Sequence, residues 1–330
     1  MFSDDEEAQR LSVHLQRTSL PHLPPDVERI IFTIAADLHW KRIPILMRIA
    51  WRVKEWLEPI LYRVAFISDD DYKYKFLAAF CVVPTTVFLL KITPPLPSPV
   101  SHIRHILWNP AESADAIFAL VLSACPLVED LFFDDEHITD YFPTLNQMHC
   151  LHRLAMYPQW LSSSNPCDFQ IPQFLRTITH LKLLGGKDTS SLSNLAANVN
   201  SLPNLTHVAF NVADNAIEKM HSYSRVNTRL ECIIFFINED RTTGLGSDDE
   251  RFVCVRQVDF RREWLVEATG RVGYWTRADE FIARKRAGTL DRTSYLIPDH
   301  SPLETPSDSS VQRRVLRAAP APPNKNIVFS

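Results

Sequence analysis

The chain has 330 residues, 45% of them hydrophobic and 22% charged, and carries a formal net charge of -4. That is enough apolar material for a sizeable core in about two domains, and no strongly basic domain stands out to bind duplex nucleic acid. Six Cys without a CxxC pair, and no secretory leader, point to reduced thiols in a cytoplasmic or nuclear protein.

Residues 1–19 are polar, with the acidic run Asp4-Asp5-Glu6-Glu7, and read as a flexible tail. Order begins at Leu23-Pro24-Pro25-Asp26, where proline suits the first helical turn because its missing N–H would be unpaired anyway. Val27, Ile30, Ile31 and Ile34 follow at i, i+3, i+4 and i+7, one apolar helix face. Pro44 opens a second helix whose stripe is Leu46, Ile49, Ala50, Val53, Leu57, Ile60 and Leu61, bordered by Trp56. These stripes must be buried against each other or against a partner. The uncharged run from Phe76 to Leu90 contains Pro84 and falls short of the roughly 20 apolar residues a membrane span needs. It predicts a buried helix followed by a buried strand over Val87 to Ile92, with no membrane role.

The run from Leu23 to Phe32 resembles the start of an F-box, a leucine-proline pair followed by an acidic, aliphatic helix. The segment Ile49-Ala50-Trp51-Arg52-Val53-Lys54-Glu55-Trp56 resembles the valine-x-basic-tryptophan part of that motif. The middle, Asp37-Leu38-His39-Trp40-Lys41-Arg42, departs from it, lacking the usual leucine-rich second turn. Further along, Leu61-Tyr62-Arg63, Ser123-Ala124-Cys125-Pro126, Leu205-Thr206-His207 and Asp279-Glu280-Phe281-Ile282-Ala283 are similar to segments of a group of fungal F-box-like proteins. The resemblance implies docking to a Skp-type adaptor of a cullin–RING ubiquitin ligase. It places adaptor contacts on Leu23, Pro24, Val27, Ile30, Ile31 and Trp56. Without a partner, the same helices would cap the first edge of a repeat stack.

Six copies of the pattern apolar-x-x-apolar-x-apolar follow: Ile103-Ile106-Trp108, Val128-Leu131-Phe133, Leu151-Leu154-Met156, Ile178-Leu181-Leu183, Leu205-Val208-Phe210 and Leu230-Ile233-Phe235. Their first positions step by 25, 23, 27, 27 and 25 residues. A period of roughly 20–29 residues with this pattern marks leucine-rich-repeat-like units, each a strand and a return segment. Return helices are predicted over Ser113–Ala124, with stripe Ile117, Leu120 and Val121, and over Ser190–Val199, with Leu192 and Leu195 facing in. The asparagine or cysteine such repeats carry at their ninth position is missing from five of the six, where Ala111, Glu136, Gln159, Gly186 and Ala213 stand; only Asn238 fits. An irregular stack is therefore expected.

Strand alternation sends the third, fifth and seventh positions of each repeat outward, to the concave side. From these rows come the expected target-binding residues Asp130, Phe132, Arg153, Tyr157, His180, Lys182, His207 and Asn211. His180, His207 and Cys232 stand side by side in the third-position row. A row is not the tetrahedral arrangement zinc prefers, so a solvated ladder is expected and no metal or cofactor.

Toward the C-terminus, Phe252, Val253, Val255 and Val258 predict one more strand. Thr276 and Asp279 predict a variant capping box opening a last helix. Arg284-Lys285-Arg286 suit its final turn and Gly288 its end. Trp264, Tyr274 and Trp275 are expected to fold over the last repeat. Residues 291–330, rich in Ser, Pro and charge, with Arg313, Arg314 and Arg317, read as a disordered tail.

No GxSxG or HExxH motif occurs, Gly185-Gly186-Lys187 lacks the rest of a phosphate loop, and Asp134-Asp135-Glu136-His137 reads as a charged loop. The expectation is a non-catalytic α/β protein with a tail over 1–19 and a short helical F-box-like module over 20–66. An irregular leucine-rich-repeat-like solenoid with a helical C-terminal cap over 67–290 and a tail over 291–330 complete it. As a monomer it would recruit a protein target to a ubiquitin ligase through the concave face. A stand-alone repeat scaffold for protein contacts is the second reading, and an unrecognised hydrolase the third.

Overall fold

The structure is a computed structural model and describes residues 23–67, 99–109, 115–185, 192–211, 214–237, 248–256 and 259–298. The expected helix and strand over 76–92, the acidic run at 4–7, Gly186 and Lys187, and Arg313, Arg314 and Arg317 lie outside them. Two units divide between Leu61 and Tyr62.

The first unit is helical. Pro25 opens α1, Pro25–Leu38, as its first-turn proline predicts. A 3-10 turn, Trp40–Arg42, leads into the single turn α2, Ile43–Leu46, and then α3, Trp51–Leu61. The second helix expected from Pro44 onward is thus two helices, broken at Met47–Ala50. Ala36, Ile43, Val53 and Leu57 form the buried centre, with Phe32, Trp40, Leu46, Trp56 and Ile60 packed around it. Arg52 of α3 pairs with Glu28 of α1 at 2.9 Å.

In the second unit each apolar triplet supplies a strand. The strands are β2 His105–Trp108, β3 Asp130–Phe133, β4 Arg153–Met156, β5 His180–Leu183, β6 His207–Phe210 and β7 Cys232–Ile237. β1, Val64–Ile67, precedes them, and β8, Phe252–Arg256, follows. All neighbours pair in parallel, and the sheet order is the chain order from β1 to β8. Connections between parallel strands must cross over. Here they carry α4 Asp115–Ala124, α5 Phe142–Leu145, α6 Gln159–Ser163, α7 Leu192–Ser201 and α8 Asp214–Arg225. After β8 come α9, Phe260–Ala268, and α10, Tyr274–Arg286.

This arrangement corrects the expected fold. The strands do not form an irregular leucine-rich-repeat-like solenoid with an open concave face and a cap at one end. They form one continuous eight-stranded parallel sheet with alternating helices, and helices cover both of its faces. On the crossover side, Ile106, Trp108, Leu131, Phe133, Leu154, Leu181, Val208 and Phe235 share one apolar core with the crossover helices. Phe118 of α4 packs within 4.5 Å of Trp108 and 4.9 Å of Phe133, measured between ring centroids. Each such side chain contributes about 1.5–3 kcal/mol on burial. The buried face of α4 is Phe118, Val121 and Leu122, whereas Leu120, expected inside, is exposed. α7 buries Leu192 and Leu195 as expected, together with Asn198. Asn198 donates to Leu161 O at 2.7 Å and Ser164 O at 3.0 Å, tying α7 to α6. An asparagine strap between crossovers therefore exists, but not at the ninth repeat position.

On the other face lie α9 and α10. Asp259 caps α9 by accepting from the backbone of Arg261 and Arg262. Gly270, at φ +82°, closes α9: its N–H reaches Glu267 O, and that of Arg271 reaches Val266 O. Gly288, at φ +71°, ends α10 in the same way through Lys285 O and Arg284 O, as the sequence indicates. The start of α10 differs from expectation. The helix begins at Tyr274 after Gly273, so Thr276 and Asp279 lie inside it and form no capping box.

Candidate functional site

Two surfaces concentrate the residues singled out by the sequence. The first is the outer side of the helical unit. Leu23 is 53% exposed, Val27 41%, Ile30 58%, Ile31 48%, Ile34 52% and Leu38 66%. From Val27 to Leu38 these form the i, i+3, i+4, i+7 stripe of α1, facing away from the unit's core. Pro24 is also exposed. Ile45, Ile49 and Trp51 add exposed apolar area on α2 and around the start of α3. Trp56 is different: it is half-buried and packs into the unit's own centre. Contiguous apolar exposure on so small a unit is the usual mark of a contact surface.

The second is the sheet face expected to hold a target. Register aligns His105 with Asp130, Asp130 with Arg153, Arg153 with His180, His180 with His207, and His207 with Cys232. The third-position row is therefore real. It is not open, because α9 and α10 lie over it. Asp130, Phe132, Lys182 and His207 are buried, and Arg153, Tyr157, His180 and Asn211 half-buried. The expected free target face is thus an internal interface. Trp264 and Trp275, expected over the last repeat, reach the middle of the sheet instead. Trp264 Nε1 donates to Asp130 Oδ1 at 2.9 Å, and Trp275 meets both His180 and His207 edge-on.

The interface is fastened by polar groups. Arg153 Nη1 donates to Glu267 Oε1 at 2.6 Å. Arg261 donates to Asp134 Oδ2 at 2.7 Å, and Asp134 also accepts from Tyr157 Oη at 3.0 Å. Burial, then the charge of Asp134 and its hydrogen bond, push the Tyr157 phenol up to about 12. Burial pushes Glu267's carboxyl up to about 7 against the pull of the Arg153 guanidinium.

His180 and His207 stack with centroids 4.1 Å apart. Each ring Nδ1 meets the hydroxyl of its preceding threonine, at 2.9 Å for Thr179 and 2.7 Å for Thr206. His207 Nε2 faces Asp279 Oδ1 at 3.0 Å. A hydroxyl–imidazole–carboxylate chain invites comparison with a nucleophile triad. The same threonine–histidine strap recurs at His180, where the ring stacks on His207 instead of meeting a carboxylate. Both straps also hold the backbone at the start of the preceding strand, through Thr179 Oγ1 to His152 O and Thr206 Oγ1 to Thr179 O. The arrangement is a copied structural strap. Parallel stacking keeps the ring nitrogens from converging, and among the described residues no group of three or more His, Cys, Asp or Glu could hold a metal ion.

Lys182 is the residue whose significance the sequence conceals. It is 3% exposed. Its Nζ lies 4.0 Å from the ring centroid of Phe260, 4.8 Å from Phe236, 4.9 Å from Tyr274 and 5.7 Å from Phe132. Among the described residues it has no hydrogen-bond acceptor. Ring faces attract an ammonium, but its three donors stay unmet, and burial holds the amine down to about 7. Nearby Glu263, Glu267, Asp130 and Asp259 pull the other way.

Cys125, Cys232 and Cys254 are buried, Cys150 is half-buried and Cys167 exposed. No helix among the described residues is long and apolar enough to cross a membrane. Comparison with protein-family models, curated proteins and solved structures finds no match.

Proposed function

We propose that this chain is a recruiting subunit of a cullin–RING ubiquitin ligase, held on a Skp-type adaptor by its N-terminal helical unit. The observation that carries this reading is the exposed stripe of Leu23, Val27, Ile30, Ile31, Ile34 and Leu38, which coincides with the segment resembling an F-box. A helix that leaves its whole apolar stripe outside the core gains stability when a partner covers it. Within this reading Leu23, Pro24, Val27, Ile30 and Ile31 touch the adaptor, and Trp56 supports them from inside the unit. Target contact does not use the inner sheet row as it stands, because α9 and α10 cover it. The chain supplies no chemistry of its own; it places target lysines near a ligase, which is catalysis by proximity.

The test is co-purification of the full chain with a Skp-type adaptor, beside a Leu23→Ala/Ile30→Ala variant. The expected result is capture by the native chain and loss of capture by the variant, with unchanged circular dichroism. Failure of the folded native chain to bind the adaptor would leave a stand-alone scaffold and overturn the proposal.

A further inference from the structure

The two faces of the sheet are held in physically different ways. The crossover face is a continuous apolar core. The face under α9 and α10 buries two smaller apolar clusters, one of Ile234, Phe236 and Val253 with α10 and one of Leu107, Phe132 and Ala155 with α9. It adds polar fasteners from Trp264 to Asp130, Glu267 to Arg153, Arg261 to Asp134 and Asp279 to His207. It also encloses an amine without an acceptor among the described residues. Unmatched buried charge is destabilising, and ionic fasteners respond to pH and salt where methyl groups do not. A segment held in part by such groups can open locally, without global unfolding, when its fasteners change charge.

We propose that α9 and α10 form a proton-sensitive cover that leaves the sheet as a unit and bares the row from Asp130 to Cys232, with Lys182 driving its release on taking up a proton. The groups facing Lys182 are Asp130 on β3, Arg153 through its Glu267 partner on β4, Asp259, Glu263 and Glu267 at α9, and the Tyr274 phenol on α10. The covered amine titrates near 7 and an exposed one near its ordinary 10.5. The open state therefore binds the proton more tightly, and release is favoured as pH falls from 10.5 toward 7. Glu267 acts in the opposite sense: its covered carboxyl titrates near 7 and its ordinary value is 4.5. Protonation of Glu267 thus favours the cover as pH falls from 7 to 4.5, so Lys182 acts unopposed by it only above 7.

The native cysteines report the opening. Cys232 packs beneath α10 with Tyr274, Trp275 and Phe281, whereas Cys125 and Cys254 lie in the crossover core, and Cys167 is exposed. The full chain is treated with a dipyridyl disulfide between pH 9.5 and 7.5, and labelling at each cysteine is read by peptide mass spectrometry. The Cys232 rate is divided by that of Cys167 to cancel the ionisation of an exposed thiol. The expected result is Cys232 labelling well ahead of Cys125 and Cys254. Its ratio to Cys167 should rise as pH falls, by up to about tenfold per pH unit. Lys182→Met should slow Cys232 labelling and flatten its pH dependence. Equal labelling of Cys232, Cys125 and Cys254 overturns the cover, with no variant needed. A flat native ratio, or an unchanged slope in a folded Lys182→Met chain, overturns the role of Lys182.

Discussion

His180 and His207, neighbours on adjacent strands, stack with 4.1 Å between ring centroids and 12° between ring planes beneath Trp275. Burial first, then the charges of His207, Arg153 and His152, hold the His180 imidazole down to about 3, against an ordinary 6.5. In the unfolded chain His180 binds its proton below 6.5; in the fold it does so only near 3. The unfolded state thus holds more protons between those values, and stability falls as pH drops from about 6.5 to about 3. Denaturant midpoints across that range should decline in the native chain. His180→Phe, which keeps a ring against Trp275, should decline less. An equal slope in both would remove His180 as the cause.

Trp264 and Asp130 are joined by a 2.9 Å hydrogen bond across 134 residues of sequence, with Asp130 4% exposed. Trp264→Phe keeps most of the apolar contact and removes the donor. The buried carboxylate is then left short of a partner, at a cost of about 1–3 kcal/mol. Pairing Trp264→Phe with Asp130→Leu in a double-mutant cycle should recover part of that loss. Strictly additive losses, measured by chemical denaturation, would show that the bond contributes nothing.

The contrast between rows shows what the sequence made legible. Triplets such as Ile178-Leu181-Leu183 place β5 and its neighbours because alternation is local: a strand's inward residues are two apart. The same alternation located the row His105, Asp130, Arg153, His180, His207, Cys232. It could not say what covers that row. Trp264 and Trp275 are bulky residues on amphipathic helices, and amphipathicity names a buried face without naming the surface it meets. One local signal did point to cover: Lys182 stands in a strand row with Phe132, Ala155, Ala209 and Ile234, too apolar for a free surface. The start of α10 departs from its local signal for a related reason. Thr276 and Asp279 have capping chemistry, but the helix takes Gly273 as its cap, three residues earlier, where Gly273 packs closely against Glu267 of α9.

That fit makes Gly273 a sensitive position. A Cβ there would lie 2.6 Å from Glu267 Oε2 and 2.8 Å from Glu267 Cβ. The second atom is close to the α9 backbone and cannot swing away. Gly273→Ala should therefore push α9 and α10 apart, costing about 1–3 kcal/mol and disturbing the Arg153 contact to Glu267. Gly288→Ala is the control: a Cβ meets nothing within 4 Å there, and only the φ of +71° opposes it, at about 1–2 kcal/mol. Thermal unfolding should rank Gly273→Ala at or below Gly288→Ala. Only Gly273→Ala should also accelerate modification of Cys232.

In the helical unit, stability and surface are separable. Val53 and Leu57 are fully buried, whereas Ile30 and Ile34 lie on the exposed stripe of the helix α3 packs against. Leu57→Ala removes buried methyl groups and leaves a cavity, a change worth about 2–5 kcal/mol. Ile30→Ser and Ile34→Ser remove side chains that are more than half exposed, so each should cost no more than about 1 kcal/mol. Helical circular dichroism under denaturant, followed for the full chain, should show an early loss only for Leu57→Ala. A large loss for Ile30→Ser would mean that the α1 stripe is covered within the chain, which would remove it as a docking surface. If instead both serine variants remain as stable as the native chain, any binding they lose is lost at the surface itself.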